Sequence, residues 1–283
     1  MAEKIVWING REQNQLSVFD RGLAYGHGVF ETILFRSRKL QLLDLHLQRL
    51  EQGLQCLGIE YSLELIQEEL ERLILNHPAL PNGIVKIIIT AGDSERGYAW
   101  PQPMQSTRIL IWSQYDDAQA AQLKQQGAHL LLSSVRLAHQ PLLAGIKHLN
   151  RLEQILIRRE VEQHQCDEAL VLDSNEHVIE ANSANIFMVH QGQISTPQLH
   201  LCGVAGVMRR YLLETFLPFL DFYAEEKIIS LSELYQADEV FLTNSIWGVV
   251  AAVRLKRANN EAISWSSGSI TQKIQQALLR QEV

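Results

Sequence analysis

The chain has 283 residues, 46% hydrophobic and 20% charged, with a formal net charge of −7. That is apolar material for one large or two modest globular domains, and an acidic balance with no basic block argues against a nucleic-acid-binding surface. Cys56, Cys166 and Cys202 are far apart, with no CxxC or paired Cys/His spacing, so the pattern implies neither a disulfide framework nor a zinc site. No stretch reaches membrane-spanning length without a charge or breaker, and a soluble protein of the reducing cytoplasm is expected.

In chain order, Ile5 to Ile8 reads as a short strand turning at Asn9-Gly10, a pair that tolerates positive φ. Gly26-His27-Gly28 precedes a strand from Val29 to Phe35, and its glycines allow the backbone to approach something closely. Leu40 to Leu43 reads as the partner strand. Leu47, Leu50, Leu54 and Leu57 recur at helical spacing with Gly58 as a stop, and Ser62 caps a second helix with the stripe Leu63, Ile66, Leu70 and Leu73. Strands follow at Ile84 to Thr90 and Thr107 to Trp112.

The polar run Ser113 to Gln119 marks a linker. The expected organisation is a smaller N-terminal domain over 1–113, a linker over 114–120, and a larger C-terminal domain over 121–283 that carries Lys147. Within the latter, a short helix and a strand (His129 to Val135) precede an amphipathic helix from Arg151 to Glu162. Hairpins are expected around Asp173 to Glu176 and around Gln191-Gly192. Gly203 to Phe216 opens with glycines and becomes helical. Ser230-Leu231-Ser232-Glu233 fits a capping box, Val240 to Thr243 is a buried strand, and a helix from Ile270 closes the chain. Hairpins dominate over strict βαβ alternation, which predicts an α+β fold with antiparallel sheets.

Chemistry concentrates at Leu142-Leu143-Ala144-Gly145-Ile146-Lys147-His148-Leu149-Asn150-Arg151. A lysine between loop and helix is ordinarily solvated. Behind a small apolar run, it can instead be a partly desolvated amine able to attack a carbonyl. This run, with Arg151-Leu152-Glu153 and Asp167-Glu168-Ala169-Leu170, resembles the lysine segment of the fold-type IV pyridoxal-phosphate enzymes. The resemblance extends from about Ile8 to Ser245. It implies a two-domain fold with pyridoxal 5'-phosphate between the domains, and a homodimer.

The same resemblance implies roles. Lys147 would take up the cofactor aldehyde. Glu180, in Val178-Ile179-Glu180-Ala181-Asn182-Ser183-Ala184-Asn185-Ile186-Phe187, would hold the pyridine nitrogen protonated. The phosphate would lie against Arg49 of His46-Leu47-Gln48-Arg49-Leu50, the backbone of Val207 and Met208 after Gly203-Val204-Ala205-Gly206, and Ser245. A helix N-terminus suits an anion through its unpaired N–H groups. Arg96 and Tyr98, from Arg96-Gly97-Tyr98, would meet a substrate carboxylate. Thr32, as a catalytic neighbour, and Asn244 would face the substrate. His27 departs from the aspartate that many relatives place there.

For activity, the resemblance implies the lyase members, which split 4-amino-4-deoxychorismate into 4-aminobenzoate and pyruvate in folate synthesis. Branched-chain aminotransferases of this fold usually carry a tyrosine shortly after the lysine, and Leu149 to Gln154 contains none. A D-amino acid or branched-chain aminotransferase is the alternative within the fold. A non-catalytic binder of small anions would keep Arg49 and the glycine-rich turn without needing Lys147.

Overall fold

A computed structural model describes residues 4–95, 97–100, 102–257 and 261–280. The chain divides into two compact units, one of Met1–Asp116 with Ile146–Asn150 and one of Asp117–Gly145 with Arg151–Val283. The lysine segment is thus grouped with the first unit, although the sequence reading counted it with the C-terminal domain.

In the first unit, β1 (Lys4–Ile8) turns through Asn9 and Gly10, at φ 51 and 73, into β2 (Arg11–Glu12). Asp20 caps α1 (Arg21–Tyr25), its carboxylate accepting from the Gly22 N–H. Then come β3 (Gly28–Arg36) and β4 (Lys39–Leu40). The expected strand over Leu40 to Leu43 is corrected, because Leu42 is left-handed (φ 52) and opens α2 (Leu43–Cys56). Leu43 begins the stripe continued by Leu47, Leu50 and Leu54, so burial of that face claims it for the helix. In α3 (Leu63–Asn76), the Ser62 hydroxyl accepts from the Leu65 N–H at 3.1 Å, as the cap reading requires.

With β5 (Gly83–Thr90) and β6 (Thr107–Gln114), the strands form one antiparallel sheet ordered β2-β1-β6-β5-β3-β4. Strand alternation sends Ile33, Phe35, Val85, Ile87 and Ile89 into a core with Leu50, Leu54, Ile66 and Leu70 of the two helices. Burying each such side chain contributes about 1.5–3 kcal/mol. The same alternation puts Phe30, Thr32, Lys86 and Ile88 on the opposite face.

The second unit begins with α4 (Ala118–Gln126), β7 (Ala128–Leu137) and α5 (Leu152–Gln163). Next are β8 (Glu168–Asp173), β9 (His177–Ala181), β10 (Asn185–His190) and β11 (Gln193–Pro197). α6 (Val207–Tyr211) passes through a π turn (Leu212–Phe216) into α7 (Leu217–Phe219). Pro218 cannot donate to the carbonyl four residues back, and the widened turn precedes it. β12 (Ala224–Lys227), β13 (Ile229–Ser230) and α8 (Leu231–Tyr235) follow, with the Ser230–Glu233 capping box in place. The unit closes with β14 (Glu239–Asn244), β15 (Gly248–Lys256), β16 (Ala262–Ser264) and α9 (Ser269–Arg280).

Its ten-stranded sheet is ordered β12-β11-β10-β14-β15-β7-β8-β9-β13, with β16 on β15. Hairpins and the longer-range pairs β10–β14 and β9–β13 are antiparallel, while β11–β12, β15–β7 and β7–β8 are parallel, so this sheet is mixed rather than antiparallel. The fold is α+β, with α5 making the connection between parallel β7 and β8.

Candidate active site

In the first unit, the lysine segment lies against the start of β3. The Phe30 N–H donates to the Lys147 carbonyl at 3.0 Å, the Leu149 N–H donates to the Gly28 carbonyl at 2.9 Å, and Val29 and His148 form an antiparallel bridge. Gly28 makes this approach possible: a Cβ there would lie 2.5 Å from the Ile89 carbonyl and 2.7 Å from Leu149 Cδ1. What the glycines admit is therefore the lysine segment itself. Lys147 is half-buried, with Nζ 4.5 Å from the centre of the Phe30 ring.

Glu31 points to the helical side of the sheet. It is 1% exposed, accepting from Arg49 Nε at 2.7 Å and Nη2 at 2.5 Å, and from His46 Nδ1 at 2.6 Å. Burial alone would raise its pKa, but the Arg49 charge and the hydrogen bonds from His46 and Arg49 hold it at about 2. Burial pushes the His46 pKa down, against the pull of Glu31. His46 Nε2 is buried without a partner among the described residues. The α2 arginine is thus aimed by a carboxylate that sequence reasoning missed.

A stability prediction follows from this buried pair. Glu31→Gln leaves the Arg49 guanidinium without its counter-charge, at a cost of about 3–5 kcal/mol. The carboxyl has a folded pKa of about 2 against 4.5 for the ordinary group. Its contribution is therefore fully present above pH 4.5 and is lost as pH falls through about 2. Denaturant unfolding of both proteins at pH 7 and in acid checks this: the gap should narrow in acid, and a gap independent of pH rejects the assignment.

Thr32 and Lys86 are cross-strand partners on the face that carries Phe30. Lys86 Nζ lies 4.9 Å from the Phe30 ring centre, and burial lowers its pKa. It has no anionic partner among the described residues, and the apolar strand pattern around it gave no signal that it would be half-buried. Tyr98 is exposed, its ring tilted against that of Tyr25 at 5.3 Å between centres, and the Tyr25 hydroxyl accepts from the Gly97 N–H. Arg96 lies outside the described residues. His27 is a scaffold residue: Nδ1 accepts from Arg21 Nε at 3.1 Å, and Nε2 lies 3.0 Å from the Leu57 carbonyl, which fixes the Nε2–H tautomer.

In the second unit, Glu180 is 5% exposed at the end of β9, and its Oε2 accepts from the Val204 N–H at 2.8 Å. Arg151 lies close enough for the two charges to interact. Asn185 pins the same loop, donating to the Val204 carbonyl at 2.8 Å and accepting from the Gly206 N–H at 3.0 Å. A Cβ on Gly206 would lie 2.0 Å from that Asn185 oxygen, so any side chain there would displace the Asn185 amide. Gly206 is the N-cap of α6 and offers no side-chain cap. The opening N–H groups at Val207 and Met208 therefore depend on some other acceptor.

Asn244 ends β14 and Ser245 begins the turn after it. The Asn244 oxygen accepts from the N–H groups of Ile246 (2.9 Å) and Trp247 (2.8 Å), and its Nδ2 donates to the Ser183 carbonyl. This side chain shapes the turn with both of its ends, a structural use beside the substrate contact expected of it. Thr243 Oγ1 is buried next to it without a partner among the described residues.

Residues 28–255 match the class IV amino-transferase family, and the chain belongs to that family. The crystal structure of 4-amino-4-deoxychorismate lyase from Pseudomonas aeruginosa is similar at 40% identity and TM-score 0.90, covering 98% of each chain. Aminodeoxychorismate lyase of Vibrio harveyi is 33% identical over 271 residues, 95% of this chain and 97% of that protein. Branched-chain amino acid aminotransferase from Escherichia coli shares the fold at TM-score 0.85 and 23% identity, covering 99% of this chain and 94% of that one.

Proposed function

We propose that this chain is a pyridoxal-phosphate-dependent lyase that converts 4-amino-4-deoxychorismate to 4-aminobenzoate and pyruvate, a step of folate biosynthesis. The observation that carries this reading is the end-to-end likeness, at 40% identity, to a chain named as that lyase. The donor set suits the cofactor: a half-buried primary amine at Lys147, a buried carboxylate at Glu180, a guanidinium at Arg49, and a helix opening at Val207 and Met208 with no side-chain cap.

In this reading, Lys147 would hold the cofactor and Glu180 would receive its ring nitrogen. Arg49, Ser245 and the N–H groups of Val207 and Met208 take the phosphate. When bound, the cofactor supplies an electron-withdrawing ring that loosens the hydrogen on the carbon bearing the substrate's amine. The Lys147 amine would remove that proton and return one to the departing enolpyruvyl group as it becomes pyruvate. Thr32 shares the β3 face of Phe30, whose ring Lys147 meets, and its hydroxyl would orient the leaving group. Asn244, Arg96 and Tyr98 are proposed as substrate contacts, on the resemblance alone.

Lys86 adds a cation on that same face. The substrate carries two carboxylates, and an ammonium half-buried without an anionic partner suits one of them. Lys86→Met should raise KM about ten- to a hundredfold, the loss of one charge-assisted contact, with a smaller change in kcat. Lys86→Arg should recover part of it. An unchanged KM removes Lys86 from the site.

We also place the enzyme in the cytoplasm as a homodimer. Cys56, Cys166 and Cys202 form no disulfide, and no helix among the described residues is long and apolar enough to cross a membrane. Leu152, Ile155 and Leu156 form an exposed apolar face on α5, which suits a second copy of the chain. Sedimentation equilibrium tests the dimer, and the mass of a single chain would reject it.

The activity is tested by supplying aminodeoxychorismate without any keto acid. Sustained release of aminobenzoate and pyruvate, one for one, is expected. An aminotransferase would stop after one turnover until 2-oxoglutarate or pyruvate was added, and that outcome would replace the lyase reading.

A further inference from the structure

Spacing along the chain suggests no metal site, but the fold of the second unit gathers one. β7 and β8 run parallel with Leu137 opposite Asp173, which brings His139, just past the end of β7, to the end of β8. The loop after β11 is stitched to the same place, the Gln140 N–H donating to the Leu201 carbonyl at 2.8 Å, and it delivers Cys202. One ligand atom from each of His139, Asp173 and Cys202 lies within 4.8 Å of the other two.

We propose that His139, Asp173 and Cys202 bind a thiophilic divalent cation of the zinc class, at a site separate from the residues assigned to the cofactor. The chemistry of the set is one imidazole nitrogen, one carboxylate oxygen and one sulfur, a combination favoured by zinc and cobalt over magnesium or calcium. Bonds of about 2.0–2.3 Å in a tetrahedral arrangement place ligand atoms about 3.3–3.8 Å apart, so the three converge by side-chain rotation of an ångström or so.

The surroundings hold the carboxylate ready. Asp173 Oδ1 accepts from the N–H groups of Asn175 at 2.9 Å and His177 at 2.8 Å, which fixes its plane and turns Oδ2 toward His139 Nε2, 2.9 Å away. His177 Nδ1 lies 3.5 Å from the same Oδ2 but outside the converging set, so the fourth position is left to water. Asp173 and Cys202 are buried, while His139 and His177 are partly open to solvent and give the cation a way in.

The balance is simple. The cation takes the place of the proton shared by His139 and Asp173. That proton moves to Nδ1 or to solvent, and the Cys202 thiol loses its proton to solvent as the metal–sulfur bond forms. No oxidant or further reactant is needed. Cys202 precedes Gly203 and Val204, and Val204 donates to Glu180, so a bound cation would also stiffen the loop that holds that carboxylate.

The test uses the intact protein with its cofactor. Equilibrium dialysis against buffered zinc, with metal counted by mass spectrometry, should give one cation per chain. Cobalt in its place should give intense visible bands in the red, where the cofactor does not absorb, the signature of a four-coordinate site with a thiolate. Cys202→Ser and His139→Gln should each weaken zinc binding at least tenfold and bleach the cobalt bands, with folding checked by circular dichroism. If Cys202→Ser does not fold, His139→Gln and the wild-type spectrum decide. Wild-type protein that takes up no stoichiometric zinc, weak octahedral cobalt bands, or equal binding by the folded variants would each overturn the proposal.

Discussion

Lys147→Ala is expected to abolish turnover while leaving the fold intact. Its proton-transfer role alone is worth on the order of 10²–10⁴-fold in rate, and loss of the covalent attachment adds to that. The fold should survive because the segment is seated by its backbone. The Phe30 N–H to Lys147 carbonyl and Leu149 N–H to Gly28 carbonyl bonds do not involve the side chain. Lost with it is the ammonium contact with the Phe30 ring, worth about 0.5–1 kcal/mol at an accessible site. Steady-state assays and thermal unfolding of the variant check both halves. A variant that keeps a tenth of wild-type turnover would contradict the role.

Glu180→Gln should separate cofactor binding from chemistry. A glutamine oxygen can still accept the Val204 N–H, so the loop from Gly203 to Gly206 should keep its shape. What disappears is the full negative charge facing the ring nitrogen. Losing a charge-assisted hydrogen bond costs roughly 1.5–3 kcal/mol, so turnover should fall by at least about ten- to a hundredfold. Cofactor retention, read by absorbance after gel filtration, should stay near the wild-type level. If turnover were unchanged with the cofactor bound, the carboxylate would have no part in the reaction.

Much of this arrangement is legible in the sequence, for identifiable reasons. The stripe of Leu47, Leu50 and Leu54 and the caps at Ser62 and Ser230 are local signals, and each one stands in the structure. β15 is harder to read, since Val249 to Ala252 is buried on both faces and shows no alternation. Leu42 and Leu43 look like strand until the buried stripe of α2 is seen to begin at Leu43.

The candidate site divides in the same way. Lys147, Glu180 and Arg49 were identified through resemblance, because a single lysine, glutamate or arginine carries no local signal of its use. Glu31 was missed because its partners, His46 and Arg49, come from the following helix and meet it only after folding. Asn185 lay within the quoted motif, yet its hold on Val204 and Gly206 depends on a loop nineteen to twenty-one residues further on. Lys86 sits among isoleucines, and only strand pairing reveals the face that it shares with Thr32 and Phe30. The His139, Asp173 and Cys202 cluster is likewise a product of topology, since each residue is distant from the others in the chain.

The most direct measurement of the central claim is to reduce the purified enzyme with borohydride, digest it, and locate the cofactor by mass spectrometry. This account predicts one pyridoxyl phosphate per chain, on the peptide that contains Lys147. Label on Lys86 or any other lysine, or a chain that carries none, would contradict it.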